Sequence, residues 1–309
     1  MQRSIDALRS LALPAVDSAQ TSARRFSDGA EFRIEIPSVE GPKVLAAVLE
    51  TADAMGCPVH RISQGSGIQM LSDADIREMA RIGAERQIEV CLFVMPRANF
   101  DIGGQWSAPA GKMIQWQNRG AEQLRHCLDE IFRACDLGIR SVLLADFGLI
   151  QVVSDLRKTG QLPKSLIIKS SAVMAPANPA SCALLEKIGA NTINVATDLT
   201  VAQLAAIRQC VTVPIDIYVE SPDGLGGFVR HHETPEMIRC TAPMYVKLGL
   251  RNSPDIYPCG IHLEATAIAL GRERVRRSKL VFDLIAREYP GAKMSVVGQR
   301  QPDLAVPEL

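Results

Sequence analysis

The stretch TINVATDLTVAQLAAIRQCVTVPIDIYVE (192–220) contains one complete repeat of the architecture of this chain. Two short runs rich in β-branched residues, TINVA (192–196) and IDIYVE (215–220), flank a helical segment. Thr200 and Gln203 have the spacing of a capping box, so we expect the helix to begin there. A strand, a helix and a second strand in this order predict a parallel βαβ unit.

The same alternation continues along the 309-residue chain. It predicts eight strands, which are FRIEI (32–36), VHRIS (59–63), VCLFVM (90–95), SVLLAD (141–146), LIIKS (166–170), TINVA (192–196), IDIYVE (215–220) and MYVKLG (244–249). Eight such strands with helices between them predict a single closed (β/α)8 barrel, the TIM-barrel fold. An open doubly wound sheet usually carries a Gly-rich turn after its first strand, where this chain has PSVEGP instead.

Three segments depart from this alternation. Residues 1–31 are predicted to be an N-terminal extension, the barrel to span 32–297, and residues 298–309 to form a loose C-terminal tail. A long loop over 97–120 follows the third strand and contains both tryptophans of the chain. It exceeds the ~2–6 residues usual for such a connection. We expect this loop to cover the substrate at the mouth of the barrel, with packing on a neighbouring subunit as the alternative.

The composition restricts the possible classes of function. The 34 basic and 34 acidic residues balance, so the basic excess typical of nucleic-acid binders is missing. No apolar run approaches the ~20 residues of a membrane span. The eight cysteines include no C-x-x-C pair, which is typical of free thiols in a reducing compartment. We therefore expect a cytoplasmic homo-oligomer that binds a small molecule, and neither nucleic acid nor a membrane.

Strand parity predicts which side chains face the barrel interior. Faces that pack on helices must be apolar, so residues of the opposite parity point inward. The groups placed inside in this way are Glu35, Lys169, Asn194, Glu220 and Lys247, with Arg33 and Tyr218 near them. A barrel needs no buried charge in order to fold, and each unpaired one costs several kcal/mol. The cluster is therefore predicted to be an active site, although any single member could instead fill a lower layer as an ion pair.

Two lysines and two carboxylates indicate acid–base or covalent chemistry. A desolvated Lys169 or Lys247 would act as a base or as a Schiff-base nucleophile. Glu35 and Glu220 would transfer protons, and Asn194 would hold a carbonyl or an oxyanion. We expect Lys169→Ala and Lys247→Ala each to abolish activity in a protein that remains folded.

Other residues at the predicted mouth are candidates for binding. Main-chain N–H groups of the Gly-rich loop after the seventh strand could approach an anion. The candidates for binding substrate are Tyr218, Arg251, Arg97, Trp106, Gly226 and Gly227. His231 is a candidate ligand for a divalent metal, together with Asp146, which could equally cap a helix.

The stretch GANTINVATDLTVAQLAAI (189–207), followed by PIDIYVESPD (214–223), resembles the collagenase-like peptidase family. The resemblance covers the second half of the barrel and implies a TIM-barrel-type catalytic domain. The family also includes accessory proteins of ubiquinone hydroxylation that carry an iron–sulfur cluster, and these place several cysteines just after the strand that matches 215–220. Here Cys240 is the first cysteine after that strand, so an iron–sulfur cluster is not expected, whereas a divalent metal remains possible.

Three functions remain open from the sequence. The first is a barrel enzyme that resembles collagenase-like peptidases and performs hydrolytic or lyase chemistry on a small carboxylated or carbonyl substrate. The second is a Schiff-base aldolase or lyase that uses Lys169 or Lys247. The third is a non-catalytic binding or assembly protein.

Overall fold

Eight parallel strands close into a barrel in the order β1 to β8, and β8 pairs with β1. The computed structural model describes residues 2–94 and 116–309. The strands are β1 (Phe32–Pro37), β2 (Arg61–Ser63), β3 (Glu89–Phe93), β4 (Ser141–Leu144), β5 (Ile167–Ser170), β6 (Thr192–Asn194), β7 (Ile215–Glu220) and β8 (Met244–Leu248). The predicted (β/α)8 fold is confirmed.

A helix follows each strand and packs on the outside of the barrel. In the described part of the chain the α-helices are α1 (Gln2–Ser10), α2 (Pro42–Met55), α3 (Asp73–Arg86), α4 (Gly120–Asp136), α5 (Phe147–Lys158), α6 (Pro179–Lys187), α7 (Val201–Cys210), α8 (Thr234–Thr241) and α9 (Glu264–Glu288). Thr200 and Gln203 form the predicted capping box of α7. Helix α9 packs along α2 and so completes the ring of helices.

The main core lies between the barrel and its helices. Outward residues of the strands, such as Ile193, Ile217 and Val246, are buried against the helical layer. Their alternation with inward polar residues is the pattern from which the interior was predicted. No helix among the described residues is long and apolar enough to cross a membrane.

The C-terminal residues close the N-terminal end of the barrel, which differs from the loose tail predicted for 298–309. Three apolar residues of this segment are buried, namely Leu304, Ala305 and Val306. The N–H of Glu308 donates to the carbonyl oxygen of Gly138 at 2.9 Å. The polar and proline-containing sequence around this short apolar run predicts disorder, but burying the run beneath the barrel offsets the entropy lost on ordering.

Arg33 also belongs to this end of the barrel. Its Nη2 lies 2.6 Å from Oδ1 of Asp303, and its Nη1 donates to the hydroxyl of Tyr245 at 3.1 Å. The guanidinium carbon stands 4.0 Å from the ring centre of Phe26, which precedes β1. Arg33 therefore links the N-terminal extension, the barrel and the tail, and none of these bonds joins it to the other inward charges.

Candidate functional site

Glu35 lies at the centre of an ion-pair network inside the barrel. Its carboxylate has Arg61 Nη2 at 2.6 Å, Lys247 Nζ at 3.2 Å and the Nζ of Lys169 in direct contact. Ser63 donates a further hydrogen bond of 2.7 Å. Burial alone would raise the pKa of Glu35, but the charges of the three cations outweigh it and hold the pKa well below its usual range. Glu35 is therefore a permanent carboxylate at neutral pH.

Asp216 of β7 is a second acidic centre in the same network. Its Oδ1 lies 2.6 Å from Arg61 Nη2 and accepts a hydrogen bond of 2.8 Å from Thr192. Its Oδ2 lies 3.3 Å from Lys169 Nζ. Arg61 also lies 3.5 Å from Glu89 of β3. The interior thus contains alternating charges that neutralise one another. Their mutual attraction offsets the free-energy cost of removing them from water.

Arg61 and Glu89 are functional candidates that the sequence analysis missed. They lie on β2 and β3, to which the parity argument was not applied. The signal is present in the triplet Arg61–Ile62–Ser63, in which Ile62 packs outward in the core and both its neighbours bond inward to Glu35. Extending the same parity rule to all eight strands would have found them.

The two predicted lysines have different environments. The side chain of Lys169 is 0% exposed and lies between the carboxylates of Glu35 and Asp216. Burial lowers the pKa of Lys169, Arg61 acts in the same direction, and the two carboxylates oppose them. Because Lys169 is enclosed on every side, no substrate reaches it without displacing its partners.

Lys247 is also buried, with its side chain 3% exposed, but it pairs with one carboxylate, whereas Lys169 pairs with two. Its Nζ is 3.2 Å from Glu35 Oε1 and 3.2 Å from Asn194 Oδ1. It also stands 4.5 Å from the ring centre of Tyr218, a partly exposed residue. An ammonium group has three N–H donors. The two oxygen partners of Lys247 leave one donor for a further acceptor.

Asn194 orients Lys247. Its Oδ1 accepts from the lysine, and its Nδ2 donates to the carbonyl oxygen of Ser170 at 2.7 Å. The role predicted for Asn194, holding a substrate oxygen, would have to use its second amide N–H. The geometry favours a positioning role instead.

Glu220 does not join this network, in contrast to its predicted inward direction. A β-bulge just before it shifts the register, so Glu220 pairs with Leu248, an outward core residue. Its carboxylate contacts Arg277 of α9, lies 3.0 Å from His231 Nε2, and accepts from the N–H of Arg251 at 2.9 Å. Burial would raise the pKa of Glu220, but these three partners lower it overall.

The predicted anion-binding glycines are engaged within their own turn. The N–H of Gly226 donates to the carbonyl of Asp223, and that of Gly227 donates to the carbonyl of Pro222. Both glycines have positive φ, which is why the turn requires them. Arg251 is 57% exposed at this rim, with its Nε 4.0 Å from Asp223. The N–H groups expected to face an anion are thus occupied.

The structure does not bring His231 and Asp146 together. His231 bonds to Glu220, whereas Asp146 follows β4 and caps α5 by accepting from the N–H of Leu149 at 2.7 Å. Over residues 2–94 and 116–309, no three His, Cys, Asp or Glu side chains are grouped as metal ligands. Arg97 and Trp106 lie outside the described residues, so their predicted contact with substrate stays a prediction.

Comparison with known proteins confirms the resemblance seen in the second half of the barrel. The model of peptidase family U32 matches residues 118–221. No curated protein matches the chain.

Several solved structures are similar to this chain. A U32 peptidase is 16% identical, with 78% of this chain and 98% of that chain covered and a TM-score of 0.43. The phospho-2-dehydro-3-deoxyheptonate aldolase of Thermotoga maritima is 12% identical over 89% of this chain and 76% of that chain, with a TM-score of 0.47. The thiamine phosphate pyrophosphorylase of Pyrococcus furiosus is 12% identical over 82% and 98%, with a TM-score of 0.43. At these identities the likenesses carry no information about the reaction.

Proposed function

We propose that this chain is a barrel enzyme that performs lyase or hydrolase chemistry on a small carbonyl or carboxylated substrate, and that Lys247 contacts the reacting carbonyl. The observation that carries the proposal is the environment of Lys247. Its ammonium group is held by Glu35 and Asn194, has one N–H donor left, and stands 4.5 Å from the ring centre of Tyr218, a half-buried residue. The family match over 118–221 is compatible with a hydrolytic reaction.

In this proposal Lys247 acts as an electrostatic catalyst. Its free N–H donates to the substrate oxygen and stabilises the negative charge that develops there, an effect that is strong in a site shielded from water. Glu35 and Asn194 keep the ammonium in place, so little reorganisation is needed during the reaction. Arg61 and Lys169 orient Glu35 from the other side. These two cations support the catalytic group without touching the substrate.

A Schiff-base reaction is the second candidate, and the enclosure of Lys169 restricts it to Lys247. Lys247 has an N–H donor left for a carbonyl compound, whereas the side chain of Lys169 is 0% exposed and paired with two carboxylates. Treatment with borohydride in the presence of pyruvate or glyoxylate would trap such an adduct. A mass increase located on Lys247 would favour the aldolase or lyase alternative over electrostatic catalysis.

The proposal is tested by measuring, with NMR, whether the protein converts any compound in a panel of candidate substrates. The panel contains pyruvate, oxaloacetate, 2-oxoglutarate and a set of dipeptides, so that carbonyl and peptide substrates are both represented. Lys247→Met should lower kcat on any compound turned over by about 100- to 1000-fold, the usual cost of losing an oxyanion donor. Lys158→Met, at a 65% exposed lysine of α5, is the matched control and should be unchanged.

Two outcomes would overturn the proposal. One is full activity of Lys247→Met. The other is the lack of any turnover by the wild-type protein across the panel, which would favour the non-catalytic binding or assembly alternative.

A further inference from the structure

Arg274 is a buried cation without a hydrogen-bond partner in the part of the chain that the structure describes. It lies on α9, is 4% exposed, and its Nε and Nη1 atoms are both buried and unbonded among the described residues. Leaving a charged group unpaired in the interior costs several kcal/mol. An arginine is not expected to escape this cost by losing its proton. A position of this kind therefore calls for a partner that is not part of the chain described.

Three of the acidic and phenolic groups around Arg274 are hydrogen-bonded to other residues. The titratable groups that interact with it most strongly are Tyr257, Glu40, Tyr218 and Glu220. They come from the loops after β1 and β8 and from the end of β7, so Arg274 lies at the mouth of the barrel.

Glu40 illustrates how these groups are occupied. Both of its carboxylate oxygens accept main-chain hydrogen bonds of 2.9 Å, one from Gly65 and one from Ser66. The hydroxyl of Tyr257 bonds to Ser38, and Glu220 is taken by the partners described above. None of these three groups forms a hydrogen bond with Arg274. Within the described residues, no direct bond therefore neutralises the charge of the guanidinium.

A second unpartnered group lies on the same face of α9. Ser278, one helical turn after Arg274, is fully buried, and its hydroxyl has no hydrogen-bond partner among the described residues. Residues four apart on a helix are neighbours on its surface. Two adjacent polar side chains with unused donors indicate a place for an external acceptor.

We propose that Arg274 binds an oxyanion group, a carboxylate or a phosphate, on the substrate. The planar guanidinium presents parallel N–H donors that match two oxygens of such a group. Tyr218 connects this anchor to the catalytic group, because it is among the groups that interact electrostatically with Arg274 and its ring lies 4.5 Å from Lys247 Nζ. This inference rests on the proposed function in placing the reacting carbonyl at Lys247. It defines the substrate class as anionic carbonyl compounds.

The anchor is tested by binding alone, so its outcome does not depend on turnover. Calorimetric titrations use malonate and inorganic phosphate as probes, with the uncharged malonamide as a negative control. The wild-type protein should bind one of the two anions, and the preferred one tells carboxylate from phosphate. Arg274→Met should weaken that binding at least tenfold. Arg276→Met, at a 51% exposed arginine of the same helix, should bind like the wild type.

The thermal stability of Arg274→Met separates an anchor from a structural group. Because the variant removes an unpaired buried charge, its Tm without anion should equal or exceed that of the wild type, and added anion should no longer raise it. A fall in Tm with unchanged anion binding would overturn the proposal, as would a wild-type protein that binds neither probe.

One further variant completes the test. If Arg274→Met does not fold, Arg274→Lys keeps the charge but loses the paired donors, and it should bind the anion at least threefold more weakly. Equal binding by Arg274→Lys and the wild type would then refute the proposal. The anion titrations do not require turnover at Lys247, so a failure of the proposed catalytic role leaves this inference standing.

Discussion

The Nζ atom of Lys247 lies 3.2 Å from Oε1 of Glu35, whereas Lys169 and Arg61 bind the other carboxylate oxygen, Oε2. One carboxylate thus separates a lysine beside the partly exposed Tyr218 from two fully buried cations. Glu35 thus binds the catalytic candidate, Lys247, with one oxygen and stabilises the ion pairs of the interior with the other.

This division predicts unequal stability effects for the two lysines. Lys169→Met removes the cation between two buried carboxylates and should lower the free energy of unfolding by about 3–5 kcal/mol. Lys247→Met should cost only about 1–3 kcal/mol, because Glu35 keeps Arg61, Lys169 and Ser63 as partners. Urea unfolding monitored by circular dichroism measures both. A larger loss for Lys247→Met would contradict the assigned order.

Glu35 should make the stability of the protein depend on acid. Its pKa is depressed in the folded state, so its stabilising effect is complete above the unfolded pKa of about 4.3. The effect is lost as the pH falls from there toward the folded pKa. Glu35→Gln should therefore have lower stability at pH 7 and a flatter pH profile between pH 5 and pH 3. Urea unfolding across this range should show Glu50→Gln, at an exposed position, following the wild type. Parallel profiles for Glu35→Gln and wild type would refute the prediction.

The fold and most of the interior were predictable because both depend on alternation. A residue such as Ile217 must be outward if the helices are to cover it, and Tyr218 is then inward. Glu220 breaks the rule because a bulge adds one residue to β7, and no local composition marks that bulge. Arg274 could not be predicted, since its importance comes from lacking a partner. The lack of a partner can be seen only once the positions of the neighbouring loops are known.

Glu220 should matter for stability rather than for the rate of reaction. Glu220→Gln weakens the contacts with Arg277 and His231 that join the end of β7 to α9. The expected loss in the free energy of unfolding is about 1.5–3 kcal/mol, the range for hydrogen bonds to a charged group. The kcat on a substrate found in the panel should change less than tenfold. If the Glu220→Gln variant were as stable as the wild type and its kcat were reduced a hundredfold, Glu220 would be a catalytic residue, as the sequence predicts.

Removing the C-terminal tail should destabilise the barrel. Deletion of 303–309 takes away the buried apolar residues and leaves Arg33 without its carboxylate partner, Asp303. The expected cost is at least about 3 kcal/mol, seen as a lower Tm and faster proteolysis. The variant Asp303→Asn removes only the charge that pairs with Arg33. It should lower the stability by part of the amount lost on truncation. A truncated protein with the Tm of the full chain would restore the expectation of a loose tail.

Trp116 should report on the apolar side of the barrel interior. Its ring centre lies 5.7 Å from that of Phe93, at the end of β3, and it packs with the inward cluster that includes Leu143 and Ala145. This apolar wall belongs to β3 and β4, whereas the charges come mainly from the other strands. We expect the apolar part of a substrate bound at Lys247 to pack against this wall.

Residue 106 lies outside the described residues. The variant Trp106→Phe leaves Trp116 as the one tryptophan, so the fluorescence emission of the variant comes from Trp116 alone. A substrate identified in the panel should shift the wavelength or the intensity of this emission on binding, because it replaces water near the indole. Phe93→Ala should reduce the shift by enlarging the space beside the ring. Emission that stays constant while calorimetry demonstrates saturation would place the bound molecule away from β3. The predicted covering role of the 97–120 loop would then lose its support at this end, and packing against a second subunit would become the better explanation of its length.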